Sequence, residues 1–83
     1  MMQNDEIIRK INQFLIDEIE IDETQIKPTA SLKKDLGIDS LDFVDLFVIV
    51  EKKFGFKMKA EEIAEVTTLD DFYAYVINRI NPN

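Results

Sequence analysis

Leu36-Gly37-Ile38-Asp39-Ser40-Leu41-Asp42-Phe43-Val44-Asp45-Leu46-Phe47-Val48-Ile49-Val50-Glu51-Lys52-Lys53-Phe54-Gly55 runs from a loop, through a helix start and a long apolar stretch, to a stop. The helix is expected from Ser40 to Phe54, with Gly55 as its C-terminal stop. At 100° per residue, Phe43, Leu46, Phe47, Val50 and Phe54 fall within one arc and form the core stripe. Leu41, Val44 and Val48 fall on the far side, beside Asp45 and Lys52. That second stripe is either an exposed patch suited to docking or a surface covered by a neighbouring helix or loop. At the start, Asp39 or Ser40 caps the helix with Asp42 or Phe43 at the third helical position, and Asp39 with Asp42 makes an acidic variant of the capping box.

Outward from this helix the pattern stays helical. Asn4 is placed to cap a first helix whose opening acids, Asp5 and Glu6, suit the positive helix terminus, and Ile8, Ile11, Leu15 and Ile19 follow at spacings of three and four. From Glu20 to Asp39 the periodicity lapses into a long loop, since Pro28 disfavours helix at Lys27 and Gly37 ends any short turn. Lys59 to Glu65 suits a short third helix. Thr68, with Asp71 three residues on, caps a fourth whose inner face is Leu69, Phe72, Tyr73, Val76 and Ile80. The expected fold is all-α, a small four-helix bundle of three main helices and one short one with a long first loop, in a single domain over residues 1–83.

Composition narrows the function. A chain of 83 residues buries only roughly 60 to 65% of its unfolded surface, which disfavours an enclosed catalytic cleft. With 46% apolar residues, two glycines and two prolines, it is too hydrophobic for disorder and too poorly punctuated for a small all-β fold. A formal net charge of −7, from 17 acidic and 10 basic residues, repels nucleic acid and anionic membranes and favours partners with basic patches. The absence of cysteine and histidine removes the commonest nucleophile and base, any disulfide framework and any cysteine zinc site. The acids Asp17, Glu18, Glu20, Asp22 and Glu23 lack calcium-loop spacing and are expected to form a solvated surface, so no metal site is assigned. With no membrane span and no signal-peptide pattern, a cytoplasmic monomer is expected.

Ser40 lies between two aspartates at the head of a helix with an outward-facing Leu41, and an ordinary helix start explains the residue types but not these surroundings. The run from Leu36 to Asp42, followed by Val44, Asp45, Leu46, Glu51 and Phe54, resembles the attachment motif and recognition helix of acyl carrier proteins. The N-terminal Asp5-Glu6-Ile7, the loop segment Pro28 to Leu32, Glu61-Glu62-Ile63-Ala64 and Thr67-Thr68-Leu69 fall in the family's order, so the resemblance covers essentially the whole chain. It implies that a phosphopantetheinyl transferase attaches 4'-phosphopantetheine from coenzyme A to the Ser40 hydroxyl, and that acyl groups ride on the terminal thiol as thioesters. It also implies that Asp39, Asp42, Asp45 and Glu51 meet basic residues of partner synthases, reductases and transferases, with Leu41, Val44 and Val48 as apolar contacts. The chain would then be a carrier and not an enzyme, its chemistry belonging to the cofactor.

Two departures qualify the resemblance. Carriers of primary fatty-acid synthesis usually continue this helix with acids, whereas Glu51 is followed here by Lys52 and Lys53. The helix is also bulky, with Phe43 and Phe47, which is expected to narrow the interior groove where some carriers shelter an acyl chain. Both favour a polyketide, polyene or modified-lipid pathway over fatty-acid biosynthesis. The competing functions are a non-acylated helical adaptor, which has no use for Ser40, and an aminoacyl or peptidyl carrier.

Overall fold

The computed structural model describes residues 2–82. Its helices are α1 (Asn4–Asp17), α2 (Ser40–Phe54), α3 (Ala60–Ile63) and α4 (Leu69–Ile80), with a single 3₁₀ turn at Glu23–Gln25 in the loop after α1. The all-α bundle of three main helices and one short one is therefore what the chain forms. Among the described residues, no helix is long and apolar enough to cross a membrane.

α1 and α4 pack against each other through Ile7, Ile11, Phe14 and Leu15 on one side and Leu69, Phe72, Tyr73 and Val76 on the other, all buried. α2 adds Leu46 and Val50. The long loop is part of this core: Ala30, Leu32, Leu36 and Ile38 are buried in the same cluster, which explains how a stretch without helical periodicity stays ordered. Its backbone is tied to the start of α4, with Leu32 N–H donating to Thr67 O and Leu69 N–H to Ala30 O, both at 2.9 Å, around an isolated antiparallel bridge between Ser31 and Thr68. The loop thus reaches Ser40 from a fixed base.

Three expectations need correction. Asn4 does not cap α1; Gln3 holds the cap position without a side-chain hydrogen bond, and the Asn4 side chain instead accepts from Asn81 Nδ2 at 3.3 Å. α3 is shorter than residues 59–65, because Lys59 offers no capping acceptor to its first turn. In α2, only Leu46 and Val50 of the expected core stripe are buried, while Phe43, Phe47 and Phe54 are half-buried.

Candidate functional site

α2 begins as its sequence requires. Asp39 Oδ1 accepts from the Asp42 N–H at 3.0 Å, and Asp42 Oδ2 accepts from the Asp39 N–H at 3.2 Å, so the two acids form the reciprocal capping box and satisfy two otherwise unpaired donors. Asp39 is therefore the cap and Asp42 the third helical residue, which leaves Ser40 as the first residue of the helix with its hydroxyl outside the box. Ser40 is exposed. At the other end Gly55 takes the left-handed conformation, φ 81°, which costs a glycine least.

The two alternatives for the far stripe are now separated. Leu41, Val44 and Val48 are 76%, 59% and 46% exposed, so none of the described residues covers this stripe. Asp45 and Glu51 are exposed on the same helix, giving an apolar strip set among carboxylates, the form of an interaction surface. Glu51 also lies 4.0 Å from Lys57 Nζ, and Lys53 Nζ lies 3.9 Å from Glu18. The basic pair at the end of α2 is thus divided, with Lys53 drawn towards α1.

Beside Ser40 opens a groove of about 680 Å³, lined by Phe43, Val44 and Phe47 of α2, by Ala60, Ile63 and Ala64 in and after α3, and by Val66, Thr67 and Thr68 before α4. Ser40, Ser31, Lys33 and Lys34 also line it. The phenylalanines assigned to the core are therefore groove walls, and they line the space without closing it. Sequence periodicity missed the groove because its walls come from four segments, three of them too short to carry a pattern. The half-burial of Phe43 and Phe47 follows from their position between core and groove.

Ser31, the other serine of the chain, differs from Ser40. It is half-buried, its hydroxyl accepts from the Lys34 N–H at 3.1 Å, and its own N–H donates to Asp35 Oδ2 at 2.7 Å. Its groups hold a turn. Among the described residues, no group of three or more acids is placed to bind a metal ion. Within the acidic stretch that begins at the end of α1, Asp17 accepts from Gln13 Nε2 at 2.7 Å and Asp22 caps the 3₁₀ turn through Thr24. The hydrogen bonds from the Thr24 backbone and hydroxyl hold the Asp22 carboxyl below its ordinary value.

An exposed hydroxyl at the head of a long helix, free of capping duty and facing an apolar groove, suits a group joined through a phosphate, since a helix N-terminus favours negative charge. The comparisons agree with this chemistry. A family model described as "Phosphopantetheine attachment site" matches residues 9–76. The chain is 37% identical over 76 residues to an acyl carrier protein of Rubrobacter xylanophilus, covering 92% of this chain and 94% of that protein. It is 32% identical over 80 residues to an acyl carrier protein of Thermotoga maritima, covering 96% and 99%.

Proposed function

This chain belongs to the acyl carrier protein family, whose members are carriers rather than enzymes and bear a covalent 4'-phosphopantetheine, and we propose on that premise that Ser40 is the attachment residue and acyl thioesters the cargo. The observation that carries the assignment is the division of labour at the head of α2: Asp39 and Asp42 do the capping, so the Ser40 hydroxyl is left available. When bound, the arm supplies the thiol that this chain lacks. Ser40 supplies only an accepting oxygen, and its proton leaves to a base on the transferase, which accounts for a chain without histidine. The amides at the head of α2 offset part of the repulsion between the phosphodiester and Asp39 and Asp42. The carrier unit is a single domain over residues 1–83, acting as a monomer.

The transferase and the acyl-processing enzymes dock on the outer side of α2, with Leu41, Val44 and Val48 as the apolar contacts and Asp39, Asp42, Asp45 and Glu51 as charges that meet basic residues. Exposure of all three apolar side chains in an otherwise well-buried fold supports this. Such charges act mainly on encounter rate and partner choice. The groove beside Ser40 shelters the acyl chain, as its apolar walls and their nearness to the attachment residue suggest. Lys52 and Lys53 place positive charge where an acid-reading partner would look, and this favours service in a specialised lipid or polyketide pathway over primary fatty-acid synthesis.

The attachment is tested by incubating the chain with coenzyme A and a broad-specificity transferase and recording intact mass. One arm is expected on the wild type and none on Ser40→Ala; an arm on the variant, or none on the wild type, removes the assignment.

A further inference from the structure

One wall of the groove beside Ser40 has little of its own to hold it. α3 is four residues long, buries none of them, and has no side-chain hydrogen bond at its N-cap. A single helical turn does not persist on its backbone hydrogen bonds, because nucleation costs more than one turn returns. α2, opposite, is fixed by its capping box and by buried Leu46 and Val50. Of the two facing helices, α3 is the one freer to change the groove width.

Beyond Ile63, half-buried against the core, what ties α3 down comes from α4. Glu62 Oε1 accepts from the Tyr75 hydroxyl at 3.0 Å and from Arg79 Nη1 at 3.1 Å, and Arg79 Nη1 lies 3.3 Å from the Tyr75 hydroxyl. The Arg79 guanidinium sits 4.7 Å from the centre of the Phe56 ring, and Phe56 meets Tyr75 edge to face at 6.3 Å. Burial first, and then the bond to Glu62, raise the Tyr75 pKa above its ordinary value, so the phenol remains a donor at neutral pH. Isolated exposed ion pairs contribute little, but a planar guanidinium held by a carboxylate, a hydroxyl and a ring is a network. Phe56 lies before α3, Glu62 within it, and Tyr75 and Arg79 one turn apart on α4. The contacts therefore tie α3 to α4 through Glu62, with Phe56 backing the two α4 side chains.

We infer that Glu62, Tyr75 and Arg79, with Phe56 against the guanidinium, are positioning residues that set the width of the groove and thereby the length of acyl chain it shelters. This rests on the groove being the shelter for cargo. Of the three residues that the α3 segment presents to the groove, Ala60 and Ala64 are small and only Ile63 is bulky, so where α3 sits has a large share in determining the space. Releasing the brace lets α3 move outward, favouring longer chains and holding short ones less well.

The test compares wild type with Arg79→Gln and Arg79→Lys, each converted to the arm-bearing form and loaded with a series of saturated acyl chains. Hydrogen exchange at the Ile63 and Ala64 amides, which close the turn on Lys59 and Ala60, should quicken roughly fivefold in Arg79→Gln and less in Arg79→Lys. The rise in melting temperature on acylation should peak at a longer chain in Arg79→Gln than in wild type, whereas loss of a merely structural contact lowers all cargoes alike. Unchanged exchange, or a chain-length profile that overlays wild type, overturns the inference while leaving the carrier function standing. A wild type that takes no arm, or gains no stability from any chain, removes the underlying reading of Ser40 or of the groove, and the inference with it.

Discussion

Asp39 meets two demands at once: its carboxylate caps α2 through the Asp42 N–H, and it is one of the charges proposed to meet partner enzymes. Loss of such a cap typically costs about 1 kcal/mol, so removal of Asp39 mixes stability with docking. The cap was legible in the sequence only as a choice between Asp39 and Ser40, because both residue types lead helices and spacing does not separate them. Geometry does, and it leaves Ser40 with no structural duty in the box. In the box at the head of α4 Thr68 is the cap and Asp71 takes the part that Asp42 plays in α2, and hydrogen bonds from the backbone of Thr68 and then of Thr67 hold its carboxyl below the ordinary value of 3.8. A carboxyl lowered in the folded state contributes stability above its ordinary value and loses it as pH falls through the lowered one. Melting curves of wild type and Asp71→Asn should therefore differ at pH 7 and converge as pH drops below the carboxylate range. A gap that persists in acid would assign the effect to packing instead.

At the scale of elements, α2 was legible to its end residues because both ends carry strong chemistry, an acidic capping box at Asp39 and a left-handed glycine at Gly55. α3 was overextended because Glu61, Glu62 and Ile63 favour helix while Lys59 supplies no cap, and a weak start shortens a helix whose one core contact is the half-buried Ile63. Periodicity drew an exposed outer stripe on α2 but could not say whether another element covers it, since that depends on long-range placement. With the stripe exposed, Asp45→Lys should slow arm loading by a transferase, the deficit shrinking at high salt as a rim charge acts on association. Its helical circular dichroism should match wild type, because an exposed charge contributes little to stability. Loading kinetics unchanged by the reversal would move the docking face elsewhere.

Across the whole molecule, order depends on ties that join distant parts of the chain. Asn81 Nδ2 donates to Met2 O at 2.6 Å, and the Tyr73 hydroxyl donates to Asn12 Oδ1, so α4 is bonded to α1 and to the residues just before it. No sequence pattern announces such ties, since they depend on how two helices meet. The core holds no buried charged or polar residue among those described, and the net charge of −7 stays on the surface, where only three ion pairs within 4.0 Å are found among the described residues. Self-repulsion should therefore be screened by salt, and the melting temperature should rise with ionic strength near neutral pH. A flat dependence would mean that the surface acids are already compensated.

Carriage of acyl groups through Ser40 is the function proposed for this chain. It is tested by intact mass after the arm-bearing chain is incubated with an acyl-loading enzyme, a fatty acid and ATP, read before and after hydroxylamine, which cleaves thioesters. One acyl increment is expected on the arm-bearing wild type, lost on hydroxylamine treatment and absent from both the unmodified chain and Ser40→Ala. An acyl increment on Ser40→Ala, or an arm-bearing chain that accepts no acyl group, would contradict it.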